Sequence, residues 1–333
     1  MTSKERCLAA INGKPADRVP VFPLLMFLAA DRAGITYREY ATNATALADA
    51  QLLVRERFGI DAITACSDAF RVSADLGGDM IFPDDRPPHL AGPVIRGEAD
   101  LARIGRPDPA RRGSRMADRC EGVRIIADAA RDCLVLGWVD MPFAEACSVC
   151  GVSEFMLLMA DQPRLAHAVL DRLADIVIDF ALAQLEAGAA MIGAGDAAAS
   201  LISPAMYREF ALPRERRVCD AVHAAGGLVK LHVCGNTSAL IPDMIRSGAD
   251  LFNVDHMVDF AHARDAYSAA GRCFKGNINP VDLLQSTPDT IRRRSRELAR
   301  LAAGTRYMLS AGCEIPAAVT DEVFRAFCEG VNG

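Results

Sequence analysis

His232 and Cys234 stand two residues apart in LVKLHVCGNT, at the end of a short β-branched and aliphatic run. Residues i and i+2 of a strand share a face, so an imidazole and a thiol at this spacing can reach one cation. Gly235 follows and permits a sharp turn after the strand. Cys313 lies in YMLSAGCEIP, after another short aliphatic run. Two thiolates and an imidazole are borderline-soft donors that suit Zn2+, and three protein ligands leave a fourth position for a substrate. The plain alternative is that each cysteine is a small core residue and the histidine a satisfied polar one. Choosing between the two requires a fold that brings both strand ends to one rim.

Such a fold is suggested by the alternation of the chain. Short aliphatic runs at 19–24, 61–65, 133–139, 189–192, 228–231, 251–254, 273–275 and 306–309 are mostly followed by helical patterns. Helices are predicted at 164–185, 205–225 and 288–303, the second kinked or split by Pro213. Glycines at 188, 226–227, 248, 271 and 304 sit where helices should end before the next strand. Eight strands alternating with helices predict an α/β fold, a (β/α)8 TIM barrel formed as one domain over 1–333. The barrel has an N-terminal helical extension, and 74–113, rich in Pro, Asp and Gly, is an insertion after the second strand that contains a hairpin. An open doubly wound sheet is disfavoured, because no glycine-rich phosphate loop follows the first strand.

In a parallel barrel the functional groups stand at the C-terminal strand ends. Those ends carry Asp68, Asp140, Asp196, His232 with Cys234, Asp255 with His256, Asn277, and Cys313 with Glu314. Asp68 and Asp196 are candidates for orienting substrate, with helix or turn capping as the alternative. Asp255 is either a fourth ligand, a partner of the ligands, or a capping carboxylate. Cys147 and Cys150 form the chain's single C-x-x-C, and their surroundings read as a buried helix face. The arginine-rich runs 111–115 and 292–296 read as solvated faces.

The chain has 333 residues, 51% hydrophobic and 24% charged, enough for a sizeable core. Its formal charge of −6 gives no basic face for nucleic acid or anionic lipid. The first twenty residues lack a long apolar stretch, and the longest apolar runs of the chain are broken by charge or proline well before about 18 residues, so neither export nor membrane spanning is indicated. Eleven scattered cysteines then read as reduced thiols in a cytoplasmic protein.

Five segments together resemble the uroporphyrinogen decarboxylase superfamily along nearly the whole chain. They are KERCLAAINGKPADRVPVFP, GAAMIGAGDAAASLISPAMYREFALP, AAGGLVKLHVCGNTSALIPDMIRSGADLFNVDH, FKGNINPVDLL and YMLSAGCEIPAAVTDE. The resemblance implies a (β/α)8 barrel with its site in the C-terminal cleft. The arginine-rich motif that grips porphyrinogen carboxylates in the decarboxylases is replaced by LLMFLAADRAG, with only Arg32. CSDAF resembles the family's Ser-Asp motif and carries Asp68. His-x-Cys with a distant Cys is similar to the zinc-dependent methyltransferases of the superfamily, such as the methylcobamide:coenzyme M type. That likeness implies His232, Cys234 and Cys313 as zinc ligands, with Asp255 at the fourth position. It implies a methyl group moved between a corrinoid (cobalamin) carried on a partner protein and a small substrate, with a thiol as acceptor. Asp68, Asp196 and Asp255 are then the catalytic candidates, and Asn277 the cofactor-binding one. The alternatives are a demethylating enzyme whose zinc activates a methylated donor for Co(I), and a decarboxylase-like lyase. A homodimer is open; nucleic acid and membrane are not expected partners.

Overall fold

A computed structural model describes residues 1–331. Seven strands form one curled parallel sheet: β1 (Ala62–Thr64), β4 (Leu134–Asp140), β5 (Met191–Gly195), β6 (Leu228–His232), β7 (Leu251–Asn253), β8 (Cys273–Ile278) and β9 (Tyr307–Ala311), neighbours in that order. Seven of the eight predicted strands are therefore present. Between β1 and β4 lies the predicted insertion. It holds the antiparallel pair β2 (Met80–Ile81) and β3 (His89–Leu90) and a helix at Glu98–Arg103.

The eighth predicted strand, 19–24, is instead two isolated parallel bridges, Val21 to Leu309 and Leu24 to Glu314. Pro20 and Pro23 explain the difference, since each removes a ladder donor. The segment still lies along β9, where Phe22 N–H donates to the Leu309 carbonyl and Leu309 N–H to that of Pro20. On its other side Asp61 N–H donates to the Val21 carbonyl.

Alternation along the strands organises the interior. One face holds Ala62, Leu134, Leu136, Met191, Leu251, Cys273 and Met308, packed with Cys7, Ala10 and Ile11 of the helix Ser3–Ile11 and with Phe22. Thr2 and Glu5 begin that helix with a reciprocal capping box. The next residues toward the C-terminal ends on that face are Trp138, Gly193, Lys230, Asn253, Lys275 and Ser310, by the i, i+2 rule. β6, β7, β8 and β9 thus turn from apolar to polar as they approach the rim, while beyond Met191 β5 carries only glycine on this face. The opposite face packs against the helices in a second, larger core.

The long helix Pro163–Glu186 buries Val169, Leu173, Ile176, Val177 and Phe180 at helical spacing. The predicted break at Pro213 appears as a π-helical turn, Tyr207–Ala211, leading into the helix Leu212–Ala224, with the proline in its first turn. No single described helix is long and apolar enough to cross a membrane.

Asp61 is fully buried just before β1 and clasps the N-terminal region to the sheet. It accepts from Arg6 Nη1 at 2.6 Å, from Arg18 Nη1 at 2.7 Å and from Val21 N–H at 2.8 Å. Asp61→Ala leaves two partly buried guanidiniums without their shared anion. It should lower the unfolding free energy by about 3 kcal/mol. Urea denaturation checks this; an unchanged midpoint would contradict the clasp.

Candidate metal centre

His232 ends β6, Cys234 lies two residues beyond it, and Cys313 follows β9 at the same rim. Their donor atoms lie within 4.8 Å of one another. Cys234 Sγ is 3.2 Å from His232 Nε2 and 4.0 Å from Cys313 Sγ. Tetrahedral zinc with bonds of about 2.3 Å to sulfur needs the sulfurs about 3.8 Å apart. The donor set and its spacing therefore fit that ion.

Asn253 supports both arms of the cluster. Its carbonyl accepts from His232 Nδ1 at 3.3 Å, which leaves Nε2 as the lone-pair nitrogen facing the sulfurs. Its side-chain amide donates to the Gly312 carbonyl at 3.2 Å, one residue before Cys313. Gly312 is required by close approach, because a Cβ there would lie 2.4 Å from the His256 backbone nitrogen. The two sulfurs lie within hydrogen-bond reach of each other, and either can donate. That bond pulls Cys313 down to about 4 against the cost of burial, with help from His232. The same bond, then burial, pushes Cys234 up. The two thiols are thus biased in opposite directions, Cys313 toward thiolate.

Below the ligands lies a layer that the sequence did not reveal. Trp138, Gly193 and Lys230 are register partners on β4, β5 and β6. The absent side chain at Gly193 makes room for the indole, whose ring carbon lies 2.6 Å from where a Cβ would stand. Lys230 Nζ sits 4.5 Å from the Trp138 ring centroid, without a hydrogen-bond partner. Burial pushes this lysine down to about 8, partly offset by the Cys66, Cys313 and Cys234 thiols. Its remaining charge is stabilised by the aromatic faces of Trp138 and Phe22. One level up, Asp140, Gly195 and His232 are likewise register partners.

The other predicted residues are placed differently. Asp255 accepts from the Met257 N–H at 2.9 Å and pairs with His256 Nδ1 at 3.0 Å. It lies outside the three-residue cluster and caps a turn, the alternative its strand-end position allowed. Asn277 donates from its amide to the carbonyls of Asp255 and Val258 and braces that turn. Arg32 bonds Asp321 and the Ala317 carbonyl.

Asp68 is buried under a bidentate contact from Arg115, both bonds 2.8 Å, and accepts from Ser67 Oγ at 2.6 Å. Burial opposes its charge, but Arg71 and Arg115 overcome this and hold the carboxyl well below the usual range. Arg115 is therefore not on a solvated face, as its run suggested. Arg71 and Arg119 also converge on Ser67, so three guanidiniums gather where the sequence showed no cluster.

Asp196 is fully buried at the end of β5, and neither of its oxygens has a hydrogen-bond partner among the described residues. It faces Glu215, a residue the sequence did not single out, whose carboxyl accepts from the Tyr207 hydroxyl. Burial, then Glu215, pushes Asp196 far up; burial pushes Glu215 up to about 7. Cys147 and Cys150 lie in the buried helix Pro142–Cys150 and belong to no metal cluster among the described residues.

The raised acids give a pH dependence with a definite sign. An unfolded glutamate titrates near ~4.3. A folded group raised to about 7 adds stability below the unfolded value and loses it as pH rises toward about 7. The melting temperature should therefore fall between pH 5 and pH 7.5 through this group, and Glu215→Gln should flatten the fall. A slope in the variant as steep as in the parent would contradict the buried acid pair.

Comparison with known proteins adds the family. The uroporphyrinogen decarboxylase (URO-D) family model matches residues 2–333. Uroporphyrinogen decarboxylase from Xanthomonas euvesicatoria pv. vesicatoria is 30% identical over 310 residues, covering 88% of this chain and 86% of the relative. The Synechococcus sp. protein of the same name is 27% identical and covers 98% of this chain and 97% of its own. Among solved structures, a methyltransferase from Methanosarcina mazei superposes with a TM-score of 0.90 at 24% identity, covering 99% of this chain and 98% of that one. A B12-independent methionine synthase from Shewanella sp. W3-18-1 gives 0.58 at 12% identity, over 86% and 85% of the two chains. Both structural likenesses concern the fold. Matched from its second residue to its last, the chain belongs to the uroporphyrinogen decarboxylase family.

Proposed function

We propose that this protein is a zinc-dependent methyltransferase that moves a methyl group between a corrinoid protein and a small substrate. The observation that carries the reading is the convergence of His232 Nε2, Cys234 Sγ and Cys313 Sγ within 4.8 Å at one rim. The fold shared with the Methanosarcina mazei methyltransferase supports it. In this reading 19–24 serves as the eighth strand of a (β/α)8 barrel whose mouth faces the corrinoid partner.

Zinc held by these three residues would lower the pKa of a thiol, or polarise a methyl donor, at the remaining position. The chain's own residues do the rest. His232 presents Nε2 because its Nδ1–H is spent on Asn253. Cys313 supplies a sulfur already biased toward thiolate. Lys230, held beneath by Trp138, offsets the negative charge of two thiolates in a buried setting. A thiol acceptor is the preferred substrate of this reading, with a methylated donor as the reverse use.

A second reading, a decarboxylase acting on an acidic tetrapyrrole, is favoured by the names of the relatives and by the guanidiniums around Asp68. Those guanidiniums bond Asp68 and Ser67, however, which leaves fewer donors for substrate carboxylates.

Zinc-loaded protein should demethylate methylcobalamin in the presence of a thiol, followed by the cobalt absorbance. Cys234→Ala or Cys313→Ala should abolish the activity together with about one zinc per chain. Full activity in metal-free protein, or release of carbon dioxide from uroporphyrinogen, would overturn the reading. Asn253→Ala should keep the fold and weaken zinc binding about tenfold, because the brace to Gly312 is lost. Unchanged zinc affinity in a competition titration would contradict that role.

A further inference from the structure

A cleft of about 600 Å3 opens two strands away from His232, between the helix Pro142–Cys150, the hairpin residues His89 and Leu90, and the turn Ala197–Leu201. Its position relative to the ligands follows from strand register. Asp140 lines the cleft, and Gly195 separates it from His232 on adjacent strands. At ordinary strand spacing that is about 10 Å. Gly195 raises no side chain between them; a Cβ there would lie 2.8 Å from the Trp138 ring and 3.1 Å from Asp140 Oδ1. The far wall is tied to the ligands as well. Asp196 N–H donates to the His232 carbonyl at 2.8 Å, and Ser200 packs against Gly235, next to Cys234.

The lining is chemically one-sided. Phe70, Leu90, Pro93, Val152, Leu201 and several alanines form most of it, and it contains no lysine or arginine. The guanidiniums of Arg71 and Arg115 are directed at Ser67 and Asp68. The carboxyl of Asp140 is an acid in the wall, pushed up to about 7 by burial and by Asp68, with Arg71 opposing. The polar side chains of the lining are His89, Ser148, Cys147 and Asp140; an anionic group entering here loses its hydration with no lysine or arginine to replace it, and meets a carboxyl. An apolar molecule gains from the burial, and one polar group on it can hydrogen-bond Asp140.

We infer that this cleft holds the small partner in methyl transfer, and that this partner is an uncharged aromatic or alkyl compound. It makes one hydrogen bond to Asp140 and carries no sulfonate, carboxylate or phosphate. Its role as methyl donor or acceptor rests on the proposed function; its binding does not.

The test is calorimetric titration of the zinc-loaded full chain with a matched pair of probes, 4-methoxyphenol and 4-methoxybenzenesulfonate. The uncharged probe should bind, and the sulfonate should bind at least about tenfold more weakly. Ala198→Phe, which fills the cleft, and Leu201→Asp, at a residue 66% exposed, should each weaken 4-methoxyphenol by about tenfold. Cys234→Ala should leave its binding intact. Equal or tighter binding of the sulfonate, or unchanged binding in Ala198→Phe, overturns the inference. Zinc binding and methyl transfer without this selectivity would remove the inference alone. The selectivity in a chain that binds no zinc would uphold the cleft and remove the metal reading.

Discussion

A parallel strand can bury a polar end only where its neighbours supply polar partners at the same level. In this chain that matching is set along the inward face of the sheet. Leu134, Leu136, Met191, Leu251 and Met308 form an apolar base against the N-terminal helix. One step higher come Trp138 and Lys230, and then Asp140, His232, Asn253 and Lys275 in one register row. A slip of one residue in any strand would turn its polar end outward and an apolar residue into the mouth. The His232–Cys234–Cys313 cluster, the tryptophan floor and the cleft therefore depend on one register.

Electrostatics reinforces that register. Lys275 is pushed well down by burial, and its Nζ bonds the Phe22 carbonyl and Ser310 Oγ. It lies 3.9 Å from the Phe22 ring centroid, which ties the proline-interrupted segment 20–24 to the interior. Lys230 and Trp138 make the matching contact on the other side. Desolvation makes such cations costly, and they are compensated by nearby sulfurs and aromatic faces. At the opposite edge, Asp68 with Arg71 and Arg115 forms a self-sufficient ion cluster. The metal-ligand side and the arginine side of the rim thus differ in chemistry, with the apolar cleft between them.

What the sequence revealed was whatever one element decides alone. Strand and helix alternation, the break at Pro213 and the same-face spacing of His232 and Cys234 are local properties, and the structure carries them. So is the apolar helix around Cys147. What it hid was set by partners from other elements. Arg115 looks solvated among its neighbours, yet it reaches Asp68, 47 residues away in sequence. Asp196 resembled a strand-end functional group, but Glu215 and Tyr207 from the following helical stretch close over it. Asp255 and Asn277 stand where barrel function is expected, yet they brace one turn. The tryptophan beneath the metal ligands needed the register of three strands, with Gly193 opposite Trp138 and Lys230.

The most direct measurement is a zinc-edge X-ray absorption spectrum of the zinc-loaded chain. The account predicts two sulfurs near ~2.3 Å and one imidazole nitrogen near ~2.0 Å, and no zinc retained in this shell in Cys313→Ala. A shell of oxygen and nitrogen alone, unaltered by Cys234→Ala and Cys313→Ala, would contradict it.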